Sequence, residues 1–165
     1  THLFEYTNPT HKSFGQIKNL IKLRIKDQYL QSWHENIQSS SKSRFYRIIK
    51  GEFEIEPYID ILPTKYRIPL TRLRLSSHRL PIETGRWNNT QLAYRSCPFC
   101  TDKSLGDEFH YIFECENTKA ERYTLLSKYF RRHPNTFKAN HLFNSRKKSV
   151  LINLTKLTIS IDKLF

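Results

Sequence analysis

Apolar positions recur at helical spacing near both ends of the chain. Phe14, Ile17, Ile21, Ile25, Tyr29, Trp33 and Ile37 follow one another three or four residues apart, which predicts a helix over 14–37 with Ser13 as its cap. Lys18, Lys22 and Lys26 share another face; it reads either as an edge that tracks phosphate or as a solvated face. Val150, Leu154, Leu157, Ile161 and Leu164 form a second stripe within 145–165, although β-branched residues weaken its helical preference. Residues 116–130 read as a helix capped by Asn117, with Ala120, Tyr123, Leu126 and Phe130 on one side. Residues 134–143 suit a short helix, and Pro57 opens another that Pro63 stops. Residues 1–12 are polar and read as irregular, 39–43 as a break, and 51–57 as a short strand or an acidic turn.

Residues 66–87 fit two patterns. The alternation L-R-L-R-L suits a strand, while Pro69 suits the first turn of a helix. On a helix, Arg67, Thr71, Arg74 and His78 make one polar face, Arg72 and Arg79 lie on another, and Leu70 and Leu73 point inward. Pro81 ends the element, and Gly85 gives the backbone freedom to turn. Read for function, Arg67, Arg72, Arg74, His78, Arg79, Arg86 and Trp87, with Arg95 beyond, make a phosphate-and-base surface. Read for structure, Glu83 pairs with one of these arginines and Trp87 is core.

All three cysteines lie between Tyr94 and Thr118, in the pattern Cys97-x2-Cys100-x9-His110-x4-Cys115. Three thiolates and one imidazole are the ligands of a closed tetrahedral Zn2+ site, whereas a catalytic zinc keeps a position open. Asp107 and Glu108 precede His110 at an expected helix start, and Gly106 provides the turn into it. A disulfide framework fits poorly, because the cysteine number is odd and the first residues do not form a signal peptide. Metal-held thiols suit a reducing compartment. The expected fold class is therefore mainly α: a helical domain with a small Cys3His zinc knuckle, any strand being confined to the knuckle and the residues just before it. Three stretches follow: an N-terminal helical region over 1–93 whose basic arm is 65–93, the knuckle over 94–118, and C-terminal helices over 119–165.

The net charge of +13 on 165 residues points first to nucleic acid. Residues 65–95 carry net +6, 96–118 net −4 and 119–165 net +9. The flanks, rather than the metal loop, are therefore expected to meet phosphate. No apolar run approaches the ~20 residues of a membrane span, so no membrane is expected as a partner. The absence of methionine predicts a piece excised from a longer polypeptide.

The run L-T-R-L-R-L-S-S-H-R-L-P-I-E-T-G-R-W, followed by R-S-C-P-F-C and D-E-F-H-Y-I-F-E-C, resembles the zinc-binding segment behind the polymerase of LINE-type (non-LTR) retrotransposon reverse transcriptases. Arg74, His78, Ile82, Glu83, Gly85 and Arg86 match the arm of that family, Asp107 and Glu108 its acidic pair, and Cys97, Cys100, His110 and Cys115 its ligands. The match covers about residues 70–115. The resemblance implies a Zn2+-holding module that binds the element's RNA or target DNA, positions it during target-primed reverse transcription, and adjoins the remainder of the polypeptide. Localisation in nucleus and cytoplasm, as a ribonucleoprotein, follows from the same resemblance.

The chain has no D-D polymerase pair and no clustered carboxylates with a lysine of the endonuclease kind, so no activity of its own is expected. His78 with Glu83 makes only a thin nuclease pair. The rival reading is a zinc-stabilised protein-interaction domain that packs on the polymerase, its charge serving solubility.

Overall fold

The computed structural model describes residues 13–165; the irregular stretch expected over 1–12 lies outside the described residues. Those residues are mainly helical and hold no strand. One isolated antiparallel bridge joins Ser96 to Leu105, within the knuckle. The chain divides into two compact units, one running to Ser39 and the other from Ser40. The three stretches of the sequence reading do not coincide with them. Arm, knuckle and C-terminal helices share the second unit because Leu70, Cys97, Cys115 and Leu154 belong to one hydrophobic cluster.

In the first unit, α1 is Phe14–Ser39. Its start is a capping box: Gln16 N donates to Ser13 Oγ at 3.4 Å, and Ser13 N donates to Gln16 Oε1 at 2.8 Å. The helix is there, but its stripe is not a buried face. Phe14, Ile21, Ile25 and Tyr29 are all exposed. The cause lies in the spacing. A step of four residues turns a helix by about 400°, so each repeat drifts by about 40°. From Ile17 to Ile37 the apolar positions therefore wrap around the helix rather than line one side.

The second unit holds α2 (Arg44–Ile49), α3 (Pro57–Ile61), α4 (Thr64–Arg74), α5 (Pro81–Trp87), α6 (Glu108–Phe113), α7 (Lys119–Leu125), α8 (Lys128–Arg131), α9 (Thr136–Phe143) and α10 (Lys148–Asp162). Helix α10 packs on α4, α6, α7 and α9. It buries Leu151, Leu154, Leu157 and Ile161 fully, at roughly 1.5–3 kcal/mol each. Thr155 and Thr158 are buried beside them because their hydroxyls donate back to Leu151 O at 2.8 Å and Leu154 O at 3.0 Å. Val150 and Leu164 are only half-buried, so the buried stripe is turned slightly from the expected one. Asn140 of α9 and Asn144, which caps its end, donate to Ile48 O at 3.2 Å and Ile49 O at 2.7 Å, which satisfies carbonyls at the end of α2.

Three expectations change. Helix α4 starts after Pro63 and runs on through Pro69, which therefore sits inside it rather than in its first turn. Gly85 lies within α5, not at a turn. A Cβ there would stand 2.5 Å from Arg95 Cγ, so close approach requires the glycine. Residues 116–130 are not one helix: Leu126 is extended, with φ −100° and ψ 141°, and separates α7 from α8. Tyr123 is exposed beneath the Arg131 guanidinium, 4.3 Å from its ring centre, while Arg122 is buried.

Candidate metal centre

Two local structures bring the ligands together. Cys97 and Cys100 lie on the turn between Ser96 and Leu105, where Cys97 N donates to Ser104 O at 2.8 Å. Asp102 holds that turn by accepting from Ser104 N at 3.1 Å and from Ser104 Oγ at 2.5 Å. The other pair stands on α6. Asp107 caps it by accepting from His110 N at 2.9 Å. After its last turn, Cys115 N donates to His110 O at 2.8 Å. Gly106 allows the knuckle to seat on α5, since a Cβ there would meet Pro81 Cγ at 2.8 Å.

The four donor atoms lie within 4.8 Å of one another, and the group is able to hold a metal ion. Cys115 Sγ is 3.8 Å from both Cys97 Sγ and Cys100 Sγ, and Cys100 Sγ is 3.4 Å from His110 Nε2. A tetrahedral zinc-sized ion, about 2.3 Å from sulfur and about 2.0 Å from nitrogen, spaces its ligands by about 3.8 Å and about 3.5 Å. The residues therefore fit such an ion and complete its shell. Cys97, His110 and Cys115 are buried and Cys100 half-buried. Burial first, then the neighbouring cysteines, pushes the Cys115 thiol up to about 12. A cation among the sulfurs reverses that preference and holds them as thiolates. Burial and then the Cys97 sulfur also raise the Tyr111 phenol.

Atoms around the centre hold its ligands in place. His110 Nδ1 is buried without a hydrogen bond, and Glu114 Oε2 stands 3.7 Å away. With Nε2 on a metal, Nδ1 would carry the proton, and Glu114, 3.7 Å away, is a carboxylate that could draw in to accept its hydrogen bond. The buried Arg122 donates to Cys115 O at 3.0 Å and to Thr118 Oγ1 at 3.2 Å. Thr118 Oγ1 also lies 2.7 Å from Tyr111 O, to which it donates. Sequence reasoning missed Arg122, Tyr111 and Glu114. The only signal was their nearness in sequence to the ligands.

The arm is disposed differently from its sequence reading. Arg74 is fully buried and donates to Phe143 O at 3.1 Å, with Glu56 at 3.4 Å and the Tyr58 ring centre 5.0 Å away. His78 is buried against Glu108 at 2.9 Å. Its Nδ1 accepts from Leu80 N at 3.3 Å, which puts the proton on Nε2, facing Glu108. Glu108 also accepts from Ser76 Oγ at 2.6 Å. Neither Arg74 nor His78 presents a polar atom to a phosphate, because burial has already committed each to an internal partner. Nor do His78 and Glu83 form a pair. Glu83 is buried and receives Arg86 at 2.7 Å. Arg67 donates to Ile59 O at 2.9 Å, and Arg95 to Thr90 O at 2.8 Å and Ile82 O at 3.1 Å. Arg72, Arg79 and Trp87 are exposed. Trp87, 55% exposed, is thus not core.

Comparison of the chain with protein-family models, with curated proteins and with solved structures finds no match. Among the described residues, no helix is long and apolar enough to cross a membrane.

Proposed function

We propose that Cys97, Cys100, His110 and Cys115 hold a structural Zn2+, and that the basic domain around it binds nucleic acid. In this reading the domain is the module behind a non-LTR retrotransposon reverse transcriptase. It positions template RNA or target DNA during target-primed reverse transcription, in nucleus and cytoplasm, and has no catalysis of its own. The observation that carries the reading is the closed set of four ligands, with three sulfurs, in a chain of net charge +13. Soft thiolates select zinc over hard cations, and a full shell leaves no position for substrate. Exposed cations of the second unit, among them Arg72, Arg79, Lys103, Arg132, Lys147 and Lys148, are available to phosphate.

The test has two arms. Metal analysis of the purified chain gives one zinc per chain. Mobility-shift titrations with single-stranded RNA, duplex DNA and nicked duplex show binding that weakens steeply with salt. Absence of zinc, or absence of binding at low salt, overturns the corresponding half. The observation that favours the rival protein-docking reading is α1, where Phe14 is 83% exposed and Ile25 61%. Salt-insensitive association with the neighbouring polymerase region would place that reading first.

A further inference from the structure

Trp87, Leu92 and Tyr94 are 55%, 44% and 73% exposed, although the loop that carries them is held at both ends. Thr90 N donates to Gly85 O at 2.7 Å and Asn88 N to Thr84 O at 3.0 Å. Arg95 lies across Gly85 and ties Thr90 O to Ile82 O. At the far end, Gly106 N donates to Arg95 O at 2.9 Å and Ile82 N to Gly106 O at 3.1 Å, which joins the loop to the knuckle. A loop so constrained does not swing its rings into the core, so the indole and the phenol stay in water. Along the chain, no carboxylate lies between Glu83 and Asp102. Asn88, Asn89 and Gln91, between the two rings in sequence, are exposed, and the exposed Arg79 and Lys103 lie just outside that interval.

We propose that residues 87–94 form a stacking ledge for single-stranded nucleic acid, with Trp87 and Tyr94 meeting unpaired bases. The proposal rests on the nucleic-acid reading above and narrows it to a strand class and a place. Unpaired bases offer their faces to aromatic rings whatever their identity, whereas duplex bases are already stacked on one another. The amides of Asn88, Asn89 and Gln91 both donate and accept, and so suit base edges. Phosphates then run toward the flanking cations. The centre acts at one remove, by fixing the end of the ledge through Gly106 and Arg95.

Trp33 is the other of the two tryptophans, so Trp33→Phe leaves Trp87 as the sole indole emitter. This variant of the whole chain is titrated with oligo(U), oligo(dT) and a blunt duplex of equal length, each labelled for anisotropy, while indole emission is followed. The expected result is quenching that tracks single-strand binding, and duplex binding without quenching. Trp87→Ala and Tyr94→Ala each weaken single-strand binding roughly tenfold and leave duplex binding unchanged, while Trp87→Phe retains most of it. Equal zinc content and equal thermal midpoints show that the variants are folded. Anisotropy without quenching, or alanine variants that bind single strands as before, overturns the ledge and leaves the broader reading standing. Equal quenching by the duplex overturns the strand preference. No binding of any probe overturns both the ledge and the reading beneath it.

Discussion

The arm with Arg95 and the metal loop after it carry opposite charge, net +6 over 65–95 against net −4 over 96–118. Taken as a linear tally, the contrast marks the arm as the surface for phosphate and the knuckle as a bystander. In the folded chain much of the opposition is used internally. Glu108 of the knuckle receives Ser76 and His78 of the arm, Gly106 seats on Pro81, and Arg95 binds carbonyls of the arm's own loop. Within the arm, Glu83 takes Arg86, and outside it Glu56 and Phe143 O take Arg74. A guanidinium has five donors in a rigid fork and satisfies buried carbonyls as readily as phosphates. Charge per stretch therefore does not locate a binding surface; charge left in water after folding does.

The largest expected effect breaks the comparison from the knuckle side. If the proposed zinc is held there, Cys115→Ser removes a buried ligand, and structural zinc contributes an apparent ~10–16 kcal/mol to small domains, as much as a domain's whole stability. The second unit then loses its cooperative thermal transition, as the unaltered chain does under a strong chelator. A melt unchanged by either treatment would refute a structural ion. Next in size is Arg74→Ala, expected to cost about 2–5 kcal/mol in urea unfolding, since it empties a fully buried site, leaves Phe143 O without its donor and leaves the half-buried Glu56 with Lys50 alone. Arg74→Lys does not restore it, because one ammonium cannot span both acceptors and stack on Tyr58 as the planar fork does.

The Cys3His group was legible in the sequence because its spacing is local: Cys97, Cys100, His110 and Cys115 come within reach of one another and could hold a metal ion. Helix α10 was legible too, since its apolar positions keep to one face. Helix α1 was legible as a helix, but not in its exposure, because residues four apart drift around the axis. The burial of Arg74 and His78 in the arm was not legible, for a different reason. Their partners are distant in sequence: Arg74 meets Phe143 across 69 positions and His78 meets Glu108 across 30. Nothing along the chain tells an arginine that will be buried from one that will stay in water. Asp107 and Glu108 illustrate the same limit side by side. The first caps α6 as its position suggests, and the second turns to the arm.

Two smaller effects sharpen the contrast. Glu108→Gln keeps the size but removes the charge that Ser76 and His78 meet, and about 1–3 kcal/mol is expected in urea unfolding. A double-mutant cycle with His78→Ala should give a non-zero coupling; purely additive losses would mean the two regions are not joined there. Acid tests the pair that Arg74 of the arm makes with Glu56. Burial raises the Glu56 carboxyl, but Arg74 and Lys50 outweigh it and leave the value below the ordinary 4.5. A carboxyl lowered in the folded state contributes stability above its unfolded value, and that contribution is lost as pH falls from about 4.5 through the folded value. Other carboxyls titrate with the fold as well, so the readout is the difference from Glu56→Gln. That variant is less stable at neutral pH and loses less on acidification. Parallel pH curves would refute the pair's role.

The smallest effect on stability falls on the arm cations that face water, and there binding is read most cleanly. Arg72 and Arg79 are exposed, and their side chains are in no ion pair or hydrogen bond found among the described residues. Replacing both by Ala should change unfolding by less than about 0.5 kcal/mol each, as for surface sites without special contacts. If both meet phosphate, affinity falls alike for unrelated sequences, and the slope of log K against log salt flattens by about 0.9 per lost contact on duplex DNA, or about 0.7 on a single strand. Arg86→Ala is the contrasting substitution: it leaves the buried Glu83 carboxylate without its cation, so stability drops. A folded Arg72→Ala/Arg79→Ala chain with unchanged affinity and salt slope would move the phosphate contacts away from the arm. The exposed cations of the C-terminal helices, Arg132, Lys147 and Lys148, would then be next to test by the same slope.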